Sequence, residues 1–272
     1  MSEPYADTLL AGVAAAMAPV GLSEVPELMS RVDRKYLVTA STMAGLAAEL
    51  GDRFCVLGIG GRRQFRYTST YFDTPDLLTY RQHRQDRRRR FKVRTRTYLD
   101  GGGQWLELKL NGARGSTDKR RIPYDGVSGQ TLTREALEFV RDTLLSELRL
   151  IAPETLHPVL ATDYKRVTLV DRSGAARLTC DTGLNCRDTH RSTPARGDLV
   201  LLESKSTDGK ALVDTVLRRM GVRPVSVSKY CLGVAALHDL PANRWHPVLH
   251  RYLAHRPSAP RRAAARAATR GA

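Results

Sequence analysis

Residues 87–112 read RRRRFKVRTRTYLDGGGQWLELKLNG, and this stretch decides the fold because it packs eight basic residues into a segment that also alternates like a sheet. In an extended strand, successive side chains point to opposite faces. Lys92, Arg94, Arg96 and Tyr98 therefore share one face, while Phe91, Val93, Thr95 and Thr97 share the other. Gly101 to Gly103 supply a turn, after which Trp105, Glu107 and Lys109 oppose Leu106, Leu108 and Leu110. The segment reads as a β-hairpin with one charged and one apolar face.

The same alternation recurs along the chain. In RVDRKYLV, Arg31, Asp33 and Lys35 share a face; in DYKRVTLVD, Tyr164 and Arg166 do; in DLVLLESKST, Glu203 and Lys205 do. Helical spacing marks ADTLLAGVAAAMAPVGL, TASTMAGLAAELG, TREALEFVRDTLLSELRLI and KALVDTVLRRMG. Ser41 or a neighbouring Thr caps the second of these, and Gly51 ends it. Strands outnumber helices and most connections are short, which predicts an α+β fold with a large, mainly antiparallel sheet. Charged strand faces ordinarily face water. Here the apolar-faced helices need a surface to cover, and the Leu and Val stripes are that surface. The charged stripes are then turned inward, and the expectation is a β-barrel, a tunnel with a polar, basic lumen covered by helices.

With 272 residues, 42% of them hydrophobic, the chain can bury one sizeable core. We divide it into an N-terminal helix within 1–29 that packs on the body, a body over 30–240, and a basic tail over 241–272 whose Pro, Ala and Arg content predicts disorder. The formal charge is +16, and the body stays basic without the six arginines that follow from Arg251. Such a balance points to polyanionic partners. Aromatics make up only 6% of the chain, which argues against a base-stacking surface and so against a specific nucleic-acid partner. Cys55, Cys180, Cys186 and Cys231 form no CxxC pair, so they read as buried thiols of a reducing compartment. No apolar run approaches the ~20 residues of a membrane span, and the expected location is cytoplasmic. GARGSTDK is not a phosphate-binding glycine loop of the G-x-x-x-x-G-K-[ST] type.

A lumen with more cations than acids is costly unless a polyanion fills it, and phosphates suit arginine forks and lysine point charges. The few carboxylates suit a divalent metal. Two acids stay open at this level. Asp73, two residues before Pro75, is a turn former or a functional acid, and Asp181 is a second lumen acid or the partner of an arginine.

Seven motifs in order carry a resemblance: RVDRKYLV, YTSTYFDTPDLLTYRQH, RRFKVRTRTY, WLELKLNG, DYKRVTLVD, LLESKS and SVSKYCLG. Over roughly residues 30 to 238 the chain resembles the VTC domain, the polyphosphate polymerase branch of the triphosphate tunnel metalloenzymes. The wider superfamily opens with an E-x-E-x-K strand. Here Arg31, Asp33 and Lys35 stand at those positions, and the lost first acid counts against a two-metal triphosphatase. The resemblance implies that Lys35, Arg94, Arg96, Lys109, Lys205 and Lys229 act on the phosphates as the catalytic set. It further implies that Arg81, Tyr164, Arg166 and Ser228 bind phosphate, with Arg84 competing for the place of Arg81. Glu203 would hold the divalent metal, manganese or magnesium. Ser226 stands where other members carry a basic residue, three positions before Lys229.

The expected function is that of a polyphosphate polymerase, a phosphotransferase that passes the γ-phosphate of ATP to a growing inorganic polyphosphate chain. The alternatives are an inorganic or nucleoside triphosphatase or a nucleotidyl cyclase on the same fold, or a non-catalytic module that binds polyphosphate or another polyanion such as nucleic acid.

Overall fold

The computed structural model describes residues 5–26, 32–111, 117–127 and 131–253. Helix α1 (Tyr5–Ala16) and strand β1 (Pro19–Val20) lead into β2 (Val32–Thr39), α2 (Ala40–Leu50), β3 (Phe54–Leu57) and β4 (Gln64–Asp73). A short helix α3 (Leu78–Arg84) precedes the predicted hairpin, β5 (Arg90–Tyr98) and β6 (Gly103–Asn111), and then β7 (Thr117–Pro123) and α4 (Arg134–Thr143). Long strands β8 (His157–Asp171) and β9 (Ala176–Arg187), short β10 (Ser192–Pro194) and β11 (Leu199–Ser206) complete the sheet. Helices α5 (Leu212–Arg219), α6 (Lys229–His238) and α7 (His246–Tyr252) close the chain's described part.

The eleven strands among the described residues form one sheet whose main path is β2, β11, β9, β8, β4, β5, β6, β7, with every neighbouring pair on that path antiparallel. In the hairpin, Lys92 faces Lys109 and Arg94 faces Glu107. Gly101 and Gly103 turn the chain there at φ of 107° and 71°, values that glycine adopts without a Cβ penalty.

Helices cover the apolar face as expected. At one end of the sheet, Phe91, Val93, Leu106, Leu108 and Leu110 pack with Ala136 and Val140 of α4. At the other, Val38, Val167, Leu178, Val200 and Leu202 lie under α1, α2 and α5. Each such side chain taken from water contributes about 1.5–3 kcal/mol, so the sheet is held with its charged face turned away from the helices. Thr39 caps α2, accepting from the Thr42 amide at 3.2 Å, and Gly51 ends it. The four cysteines are buried and unpaired. Among the described residues no helix is long and apolar enough to cross a membrane.

Helix α6 is different, because it packs on the charged side of the sheet, against Leu160, Leu184 and Leu201. Gly233 allows this approach: a Cβ there would stand 2.7 Å from Leu160 Cδ2 and 3.0 Å from Cys186 Sγ. The expectation of a closed barrel is corrected here. Among the described residues the hydrogen-bonded ladder ends at β2 and at β7 without joining them. The outer edge of β2 is instead occupied by the chain entering α6, with the Val225 amide donating to Lys35 O at 2.8 Å.

The expected tail boundary also shifts. Residues after Pro241 continue into α7, and Trp245, Val248 and Tyr252 are buried against the α6 core. Apolar spacing within a Pro- and Arg-rich context holds this segment on the body, and residues 254–272 lie outside those described.

Asp73 proves to be a structural acid. Fully buried at the end of β4, it accepts from the amides of Thr74 (2.8 Å), Thr79 (2.9 Å) and Tyr80 (3.0 Å), from Thr79 Oγ1 (2.8 Å) and from the Tyr230 hydroxyl of α6. One carboxylate thus ties β4, α3 and α6 together. Asp73→Ala strands several buried donors at once, each worth about 1–3 kcal/mol. Urea unfolding is expected to show a clear fall in midpoint for Asp73→Ala and a smaller one for Asp73→Asn; an unchanged midpoint for the alanine variant would refute the assignment.

Candidate functional site

The alternation read from the sequence assembles one inner face. Across the registers, Glu203 lies opposite Lys35 and Thr179, Lys205 opposite Asp33 and Arg177, and Arg166 opposite Asp181. The sheet curls, so strands far apart in the ladder meet electrostatically. The charge of Lys109 on β6 is influenced by Glu203 on β11 and Lys35 on β2, and that of Lys92 on β5 by Lys35.

Three carboxylates on this face are locked to cations. Glu107, fully buried, takes Arg94 Nε at 2.8 Å and Nη2 at 2.5 Å on Oε2, and Lys119 Nζ at 3.4 Å on Oε1. Burial opposes its charge, yet Arg94, Arg96 and Lys119 outweigh that and hold the carboxyl well below the usual range. Asp181 receives the Arg166 fork at 2.6 and 2.8 Å and also binds Lys229 Nζ. Against burial, Arg166 and Lys229 bring its carboxyl down to about 2. Glu203 pairs with Lys205 at 2.8 Å, and Lys205, Lys35 and Lys109 likewise overcome burial to keep it ionised. A charge at these depths is tolerable only because it is paired.

Cations outnumber these acids. Among the described residues, Lys92 and Lys109 make no ion pair or hydrogen bond, and the Lys35 ammonium finds only the Val227 carbonyl, at 3.0 Å. Burial, then Lys35, Arg90 and Arg94, pull the Lys92 ammonium down to about 8. Burial, then Arg94, Lys35 and Arg96, push Lys109 well below its ordinary value, with only Glu203 opposing.

Tyr164 stacks on Tyr67 at 5.2 Å, beneath the guanidinium groups of Arg96 and Arg166, and Lys229 Nζ lies 4.5 Å from its ring. Its hydroxyl is buried with no hydrogen-bond partner among the described residues. Burial raises the phenol, but Arg166, Arg96 and Lys229 more than reverse this.

The structure therefore brings together Lys35, Arg94, Arg96, Lys109, Tyr164, Arg166, Glu203, Lys205 and Lys229. It does not bring Arg81 with them. The buried face of α3 is Thr79, Tyr80 and His83, so Arg81 turns outward and pairs with exposed Asp76. Arg84 is partly buried with its Nε unpartnered. Ser228 is the N-cap of α6, its Oγ accepting from the Cys231 amide at 3.3 Å, and this capping bond occupies one lone pair. Arg31 lies outside the described residues. Two residues left out of the expected set matter: Lys92, already on the Arg94 face by alternation, and Glu107, whose burial at the centre of the cations no local pattern discloses.

Among the described residues no group of three or more His, Cys, Asp or Glu side chains converges as a metal cage. Glu203 offers one ionised carboxylate among lysines. It is the one of the three not held by an arginine, and so the carboxylate that would be available to a divalent ion.

Comparison with solved structures gives partial overlaps. The PH1819 protein of Pyrococcus horikoshii OT3 is 13% identical, with 74% of this chain and 95% of that one covered, at a TM-score of 0.40. A Hippeastrum protein described as a putative adenylyl cyclase with a dominant triphosphatase activity is 14% identical over 79% of this chain and 100% of its own, at 0.44. The RNA triphosphatase of S. pombe is 12% identical over 72% and 77%, at 0.31. No curated protein matches the chain. The VTC domain model matches residues 30–238, the span that contains every residue of the inner face described above. The chain belongs to the VTC domain family.

Proposed function

We propose that the inner face acts as a phosphate tunnel in which the γ-phosphate of ATP is transferred to the end of an inorganic polyphosphate chain. The observation that carries this reading is the cluster of Lys35, Lys92 and Lys109: three ammonium groups gathered beside Arg94 and Arg96 without carboxylates of their own. Such an arrangement is costly until an anion neutralises it. A chain of phosphates fits, because its charges repeat along a line as the cations do along the strands.

A terminal oxygen of the polyphosphate attacks the γ-phosphorus, the bond from that phosphorus to the β–γ bridging oxygen breaks, and ADP leaves with the chain one phosphate longer. The nucleophile is already an anion, so no strong base is needed. The difficulty is holding two repelling anions in line, which fixed cations relieve by positioning and by stabilising the charge that develops. Lys35, Lys92 and Lys109 hold the phosphates, together with Arg96, whose nearest acid oxygen is 4.0 Å away. Arg94, fixed by Glu107, and Arg166 and Lys229, fixed by Asp181, present oriented donors that need no rearrangement during transfer. The unpartnered Tyr164 hydroxyl is free to donate to a phosphate oxygen. Lys205 orients Glu203, the residue that would hold a divalent ion, which when bound would add neutralising charge.

With purified protein, ATP and Mn²⁺ or Mg²⁺, gels stained for polyphosphate are expected to show chain growth that Glu203→Gln and Lys109→Ala reduce by roughly a hundredfold or more. Full synthesis by both variants would refute the site; orthophosphate or cyclic nucleotide as the sole product would refute the reaction.

Proton linkage offers a second check. Free Lys92 loses its proton above about pH 8, whereas a bound phosphate favours the charged form. Triphosphate binding should therefore take up protons above pH 8, and affinity should fall by up to about tenfold per pH unit for each lysine so linked. Calorimetry in buffers of different ionisation enthalpy measures this; constant affinity between pH 7 and 9.5 would contradict it.

A further inference from the structure

Outside the inner face, α3 and the connection that follows it enclose a second basic depression, a cavity of about 630 Å³. Arg81, Arg87, Arg88 and Arg89 line it together with Gln82 and Gln85. Leu78 and Leu150 complete the wall, and no inner-face residue takes part.

The acids near these arginines are already engaged. Asp76 pairs with Arg81, while Asp86 pairs with Arg90 at 3.0 Å and Arg244 at 2.8 Å. Among the described residues the Arg87 side chain meets only the Gln85 side-chain oxygen, at 3.0 Å, and that of Arg89 only the Leu148 carbonyl, at 3.2 Å. Among the described residues Arg88 has no hydrogen-bond or ion-pair partner. Among the described residues three guanidinium groups thus stand around one concavity without a carboxylate, and an anion is the partner this chemistry selects. The volume lies in the range of ligand pockets. Among the described residues no aromatic side chain lines the cavity, and so none offers the platform on which a nucleobase would stack.

We propose that this outer cavity is a second polyanion site, one that binds a run of inorganic phosphates on the outside of the sheet. The inference rests on the polyphosphate reading of the inner face and extends it. The connection that carries Arg87 to Arg89 runs directly into β5, so Arg89 is three residues, at most about 11 Å of chain, from Lys92. A polyphosphate held there stays close to the inner site at high effective concentration.

The test is a calorimetric titration of the full chain with a short inorganic polyphosphate, in the presence and absence of saturating triphosphate. Wild type is expected to show two classes of site, of which triphosphate blocks one. Arg87→Ala with Arg88→Ala should weaken the triphosphate-resistant class by at least about tenfold, the equivalent of one charge-assisted hydrogen bond. Both side chains are exposed, so the variant should keep the wild-type circular dichroism and melting curve, and the single Arg88→Glu change repeats the measurement at one position. Lys109→Ala with Lys205→Ala should remove the blocked class and leave the outer one. If the arginine variants bind as wild type, the outer site is refuted while the inner reading stands. If the lysine variant keeps both classes, the inner reading fails. A single-stranded oligonucleotide of equal charge that competes as well as polyphosphate would overturn the assignment of a base-free phosphate chain, and equal affinity for orthophosphate would overturn the requirement for a run of phosphates.

Discussion

The ammonium groups of Lys92 and Lys109, held on the inner face of a curled sheet with no ion-pair partner among the described residues, are the constraint on which the rest of this molecule depends. Such charges cost free energy on folding, and something must overcome that cost. The apolar faces do so. Leu106, Leu108 and Leu110 under α4, and Val167, Leu178 and Leu202 under the opposite helices, secure the orientation that turns the cations inward. Apolar burial on the outer face, and under α6 on the other side, supplies the stability, and the cationic part of the inner face is left with a charge excess that a ligand relieves.

The carboxylates divide this excess into two kinds of cation. Arg94, Arg166 and Lys229 are bound to Glu107 or Asp181 and are fixed in place; Lys35, Lys92 and Lys109 are not. Fixed arginines give orientation, and unpaired lysines give net attraction. Because Glu107 and Asp181 are both buried, neutralising either would leave its arginine as an uncompensated buried charge, which couples the geometry of the site to the integrity of the sheet.

Helix α6 joins these parts. Its first residue, Lys229, reaches Asp181; its second, Tyr230, reaches Asp73 and stacks on Tyr71 at 5.1 Å; and Tyr71 in turn accepts from Arg94 at 3.1 Å. The close approach at Gly233 sets the helix against β8 and β9. The chain before α6 occupies the edge of β2, where a closing strand would otherwise pair. One helix thus covers part of the charged face and fixes the arginine pairs within it.

The sequence by itself determined the strands and their faces, since a period of two places Arg94 with Arg96, Glu203 with Lys205 and Tyr164 with Arg166 whatever the surroundings. It also determined the hairpin turn at Gly101 to Gly103 and the helices that cover the leucines. It left three matters to the tertiary structure. Whether Asp181 binds a metal or an arginine depends on which strand lies beside it, and the register opposite Arg166 decided for the ion pair. Whether Arg81 faces in or out depends on the roll of α3, set by burial of Thr79, Tyr80 and His83. Whether the sheet closes depends on what occupies the edge of β2, a contact with Val225 nearly two hundred residues away in the chain. Local periodicity fixes which side chains share a face; only the packing of distant segments fixes which charges meet across it.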